Sequence, residues 1–118
     1  MSDTRYHDLT ANTSRHLAPM RSQLPEVMQG FGALSRAALA PGVIDEKTKE
    51  LIALAIAVAT RCDDCIGFHA KALVRLGGTP EELREMLGVS VYMGGGPSLM
   101  YASHAIQAYE EFAAAAKA

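Results

Sequence analysis

Glu50–His69, ELIALAIAVATRCDDCIGFH, holds a glutamate, nine consecutive apolar residues, two cysteines spaced C-x-x-C, and a histidine four residues after the second cysteine. If the chain is helical on both sides of Arg61, then Cys62, Cys65 and His69 fall at i, i+3 and i+7 and share one face of the second helix. The cysteines lie in its first turn, where unpaired backbone N–H groups and the positive end of the helix dipole favour thiolate over thiol. His69 is one turn beyond Cys65 and two turns beyond Cys62. That spacing favours Cys65 as the base-assisted thiol and Cys62 as its disulfide partner. A continuous helix would leave Glu50 about 18 Å from Cys62. A reversal near Arg61 instead brings Glu50 and His69 to heights differing by about 4 to 5 Å, close enough to line up Glu50, His69 and Cys65.

The hairpin requires Leu51–Ala59 to be helical. Ile52, Leu54, Ile56 and Val58 alternate with alanines, which is also a strand period. The alanine content, Asp45 as an N-cap and Glu46 in the first turn decide for helix. A helix apolar all round predicts burial on every side, at the centre of a bundle or in an oligomer interface.

Outward from there, Pro25 suits the first position of a helix carrying Val27, Phe31, Leu34 and Ala38 at helical spacing, weakened by Gly30 and Gly32 and ended by Pro41-Gly42. Downstream, Gly77-Gly78 is a helix stop. Thr79-Pro80-Glu81-Glu82 reads as a capping box opening a helix with Leu83, Met86, Leu87 and Val91 on one stripe. Gly94-Gly95-Gly96-Pro97 predicts a flexible loop without the Lys and Ser/Thr of a phosphate-binding loop, followed by a last helix over about Ser98 to Ala115. Met86, Met93 and Met100 read as core or gap-filling residues. Residues 1–19 show no sustained period and suit a loose arm, a short helix, or a segment ordered against a neighbouring subunit; His7 and His16 read as solvated. The expected organisation is an N-terminal arm, residues 1–24, and an all-α compact domain of about five or six helices, residues 25–118.

With 118 residues and a net charge of −2, the chain is sized for one domain and has no basic run. Nothing suggests nucleic acid or an anionic membrane surface as partner, and Leu51–Ala59 is too short to span a bilayer. No signal-peptide core precedes it, so the expected location is the cytoplasm. There, closely spaced cysteines point to redox chemistry or metal binding instead of a structural staple.

The glutamate, the twelve-residue gap, the C-x-x-C and the histidine at plus four resemble the alkylhydroperoxidase D-like members of the carboxymuconolactone decarboxylase family. Roughly residues 26–112 share that family's layout, including Gly77–Glu82. The resemblance implies an all-helical, oligomeric thiol peroxidase needing no bound cofactor. In it Cys65 attacks the peroxide, Cys62 resolves the product, and Glu50 and His69 relay protons. It also implies a hydroperoxide substrate and a dithiol reductant, either a lipoyl-bearing or a thioredoxin-like protein. The expected assembly is a homo-oligomer, a trimer or hexamer. One position departs: peroxidase members carry a histidine just before the second cysteine, and here it is Asp64, whose charge opposes thiolate formation.

Three other readings use the same residues. A zinc site could take Cys62, Cys65 and His69 with Glu50 or His104 as fourth ligand; a lactone decarboxylase or isomerase would not need paired thiols; and a non-catalytic redox-sensing or binding module would keep only the disulfide switch. Asp63 reads as an N-terminal helix charge, and His104 as a surface or packing residue outside the site.

Overall fold

Two helices joined by a three-residue reversal, α4 (Glu46–Ala59) and α5 (Asp63–Arg75), form the hairpin on which the other elements are arranged. The computed structural model describes residues 3–117. It places α1 (Arg5–Leu17), the single turn α2 (Met20–Gln23) and α3 (Pro25–Leu39) before this hairpin, and α6 (Pro80–Gly94) and α7 (Gly96–Ala116) after it. The described residues contain no strand, so the alternation within α4 is settled as helical.

Capping chemistry sets the boundaries. Asp45 accepts a hydrogen bond from the Thr48 N–H (2.7 Å) and opens α4. At its other end, Arg61 N–H donates to Val58 O (3.2 Å) and Cys62 N–H to Ala57 O (3.0 Å), the paired closure that ends many helices. This closure needs a left-handed residue, and Arg61 fills it at φ 58°. A side chain there costs about 1 to 2 kcal/mol, held in place by the packed hairpin. The capping box expected at Thr79 is present in both directions: Thr79 Oγ1 accepts from Glu82 N–H (3.1 Å), and Glu82 Oε1 accepts from Thr79 N–H (2.9 Å).

The loop expected at Gly94–Pro97 is not formed. Helix α6 runs to Gly94 and α7 starts at Gly96, leaving Gly95 alone between them at φ 72°. One residue without Cβ redirects the chain, and Pro97, in the first turn of α7, gives up an N–H that has no partner within the helix.

The core is built from Leu54 and Val58 of α4, Ile66, Ala70 and Leu73 of α5, Leu83 and Leu87 of α6, and the alanine-rich face of α7 with Phe112. Ala102, Ala105 and Ala108 recur at i, i+3 and i+6, and their small side chains let α5 lie close along α7. Helix α4 is not buried on every side within the chain. Leu54, Ala57 and Val58 face inward, while Ile52 and Ile56 remain 45% and 57% exposed. Met86 packs against the core, but Met93 and Met100 are 76% and 60% exposed, which corrects their reading as core. Val27, Phe31 and Leu34 of α3 are exposed as well, and α3 buries no residue. A period tells which face is apolar, not which surface covers it. Among the described residues no helix is long and apolar enough to cross a membrane.

Within the expected arm, Arg5–Leu17 forms α1, packed on α5 and α7 of its own chain. Tyr6 is wholly buried. Glu111, from α7, accepts hydrogen bonds from the Tyr6 N–H (2.9 Å) and the His7 N–H (3.4 Å), supplying the cap that α1's own N-terminal side chain does not. The approach is closest at Gly67, where a Cβ would stand 2.6 Å from Thr10 Cγ2. Gly67→Ala gains helix propensity of about 1 kcal/mol, but the overlap costs about 1 to 3 kcal/mol, so net destabilisation is expected in urea unfolding. Thr10→Ser removes Cγ2 while keeping the hydroxyl that donates to Tyr6 O (2.8 Å). In the Gly67→Ala background it should recover most of the loss; simple additivity of the two changes would mean that this contact is not the constraint.

Candidate redox site

Cys62 is the N-cap of α5, and its Sγ accepts the Cys65 N–H at 3.3 Å. The cysteines are joined as a disulfide, with Cα atoms 5.3 Å apart. Each is partly buried. Both cysteines therefore sit at a helix start, where backbone N–H groups lack partners within the helix.

One turn further on, His69 Nδ1 lies 2.6 Å from Glu50 Oε1. The reversal at Arg61 thus brings residues nineteen apart into a hydrogen bond within one chain. The Glu50 side chain is 4% exposed and that of His69 30%. With Nδ1 engaged by Glu50, the tautomer and ring orientation are fixed, and Nε2 is the nitrogen left for proton exchange. Glu50 also lines a cleft of about 240 Å³ with Arg36, Leu39, Glu46 and Arg75.

The two residues between the cysteines are engaged as well. Asp63 Oδ1 accepts from the Tyr6 hydroxyl (2.6 Å) and lies 2.8 Å from His104 Nδ1, while its Oδ2 is 3.8 Å from an Arg5 nitrogen. Burial pushes the Asp63 carboxyl upward, but the hydrogen bonds from Tyr6 and His104 and the nearby positive charges outweigh it and hold the group below the usual carboxylate range. Tyr6 is displaced the other way: burial first, then its bond to Asp63, raise the phenol far above its ordinary value. Asp64 Oδ1 accepts from Thr13 Oγ1 at 2.5 Å.

Four candidate residues, Glu50, Cys62, Cys65 and His69, therefore lie along one hairpin, with Glu50 bonded to His69 and Cys62 to Cys65. Sequence reasoning missed Tyr6 and Thr13, set His104 outside the site as a surface or packing residue, and read Asp63 as a helix charge only. Tyr6, Thr10 and Thr13 recur at i, i+4 and i+7, a helical face that could have been found in an otherwise polar segment. As for zinc, among the described residues no group of three or more His, Cys, Asp or Glu side chains is arranged to hold a metal ion.

Comparison with known proteins bears on the whole arrangement. The profile of the carboxymuconolactone decarboxylase family matches residues 25–108. A crystal structure of a family member from Legionella pneumophila superposes with a TM-score of 0.93 at 52% identity, over 94% of this chain and 99% of that one. A Thermotoga maritima family member, a candidate participant in the antioxidative response, superposes with a TM-score of 0.81 at 31% identity, over 92% of each chain. An uncharacterized protein of Cupriavidus necator is 38% identical over 97 residues, 82% of this chain and 86% of its own length.

Proposed function

The chain belongs to the carboxymuconolactone decarboxylase family, and from that premise we propose that it is a thiol-dependent peroxidase reducing organic hydroperoxides through a Cys62/Cys65 dithiol-disulfide cycle. The observation that carries this reading is the Glu50–His69 hydrogen bond, one helical turn from a closed C-x-x-C disulfide. In the reduced enzyme His69 takes the Cys65 proton, and the thiolate attacks the peroxide oxygen. The O–O bond breaks, Cys65 becomes a sulfenic acid, and the alkoxide leaves as the alcohol after receiving a proton from His69. The Cys62 thiol then displaces the sulfenic oxygen as water and closes the disulfide. A dithiol donor, lipoyl-bearing or thioredoxin-like, reopens it by exchange and leaves as its own disulfide.

The working form in this reading is a cytoplasmic homo-oligomer, a trimer or hexamer. Exposed Ile52 and Ile56, with Val27, Phe31 and Leu34, support it, since large apolar side chains left in solvent are the raw material of association sites. A second reading, a redox-sensing module that uses the same disulfide, draws on Asp64, which stands where peroxidase members carry a histidine and is bonded to Thr13. A peroxide assay with several dithiol donors, run beside thiol counting before and after, separates the two. Multiple turnovers with one donor are expected. A single stoichiometric oxidation with no turnover under any donor would leave the sensor.

A further inference from the structure

Each residue between the two cysteines is gripped by a side chain of α1: Asp63 by the Tyr6 hydroxyl and Asp64 by the Thr13 hydroxyl. Two carboxylates enclosed between two thiols oppose thiolate formation, and thiolate character governs both attack and the dithiol-disulfide equilibrium. A redox pair with this sequence needs that charge turned away. We propose that α1 is a charge clasp on the redox motif, in which Tyr6 and Thr13 hold the Asp63 and Asp64 carboxylates off the sulfurs and so set the thiolate character and reduction potential of the Cys62/Cys65 pair.

The clasp is built on independent contacts. His104 of α7 reaches Asp63 from a second helix (2.8 Å), so that carboxylate is drawn toward the α1/α7 side of α5. Glu111 anchors the first turn of α1 through two backbone N–H groups, and Gln107 Nε2 donates to its other oxygen (3.1 Å). Gly67 lets α1 come close enough for Tyr6 and Thr13 to reach the first turn of α5. Tyr6 and Thr13 are positioning residues: they act on the sulfurs through Asp63 and Asp64. Tyr6 would fill its buried site as well with a phenylalanine ring, so its hydroxyl matters through Asp63 alone.

This inference rests on the reading that the pair cycles between dithiol and disulfide, and it is tested without peroxide, so the peroxidase assignment can fail separately. Tyr6→Phe, Thr13→Val and the double variant keep the shapes of the replaced side chains. Fully reduced protein is alkylated with iodoacetamide across a pH series, with Cys62 and Cys65 resolved by mass spectrometry, and the disulfide is equilibrated against dithiothreitol buffers. In the double variant the alkylation midpoint of Cys65 should rise by about half to one pH unit, a three- to tenfold loss of thiolate below the midpoint. At pH above that midpoint, where the thiolate is the main reduced species, the exchange equilibrium should move toward the disulfide by a similar factor. Leu87→Ala, a core change away from the motif, should lower stability and leave both readouts alone. Unchanged midpoint and exchange constant in a helical double variant would overturn the proposal. Thr13→Val, at a half-buried site, decides the Asp64 arm even if Tyr6→Phe folds poorly.

Discussion

Peroxide consumption is expected to fall to the uncatalysed background in Cys65→Ser, whereas Cys62→Ser should oxidise once and stop with a sulfenic acid on Cys65 that dimedone captures. The asymmetry follows from position. Cys65 lies inside the first turn of α5, one turn from the imidazole that Glu50 orients, so in the proposed cycle it is the thiol that loses a proton to His69 while attacking. Cys62 is the cap residue outside the helix, and its Sγ already meets the Cys65 N–H, the placement of a partner that closes on Cys65. A serine hydroxyl at position 65 would neither ionise nor take an oxygen atom. In the same cycle, serine at position 62 removes the resolving step alone. Stopped-flow consumption of cumene hydroperoxide with mass spectrometry of the trapped adduct reads both variants. The opposite pattern, with a dimedone adduct on Cys62 in Cys65→Ser, would exchange the two roles.

The second large effect concerns the relay. His69→Ala and Glu50→Gln are each expected to slow peroxide-driven thiol oxidation by about 100-fold or more, the usual contribution of positioned acid-base groups. Glu50→Gln is the sharper variant because it keeps volume and hydrogen-bonding capacity in a nearly closed site while removing the carboxylate. Exchanging a buried carboxylate for a carboxamide of the same shape also removes a desolvation cost, so stability should change little and lost rate cannot be assigned to unfolding. Thiol oxidation is followed in single turnover, with circular dichroism and sedimentation on the same samples. Rates equal to the parent in both variants would remove Glu50 and His69 from the proton path and leave their hydrogen bond a structural tie between α4 and α5.

Much of the hairpin was legible because its signals are local. Asp45, the apolar run, the C-x-x-C and the capping box at Thr79 each act within a turn or two of helix, where spacing alone states which groups can meet. The same locality explains the errors. Three glycines and a proline in a row look like a loop, yet a single positive-φ residue, Gly95, is enough to join α6 to α7. Met93 and Met100 follow an apolar pattern that ends in solvent within one chain.

The amino-acid sequence by itself determined that α4 and α5 are helices, that the chain turns between them, and that Glu50 and His69 fall at matching heights beside two cysteines. These follow from helix rise and capping, which depend only on neighbours along the chain. Tertiary structure alone decided that α1 docks on α5, that Tyr6 and His104 converge on Asp63, and that Thr13 takes Asp64. Those contacts join residues 57, 41 and 51 positions apart. Their partners are chosen by how closely helix surfaces can approach, here through Gly67 and the alanines of α7, and no local period encodes that distance.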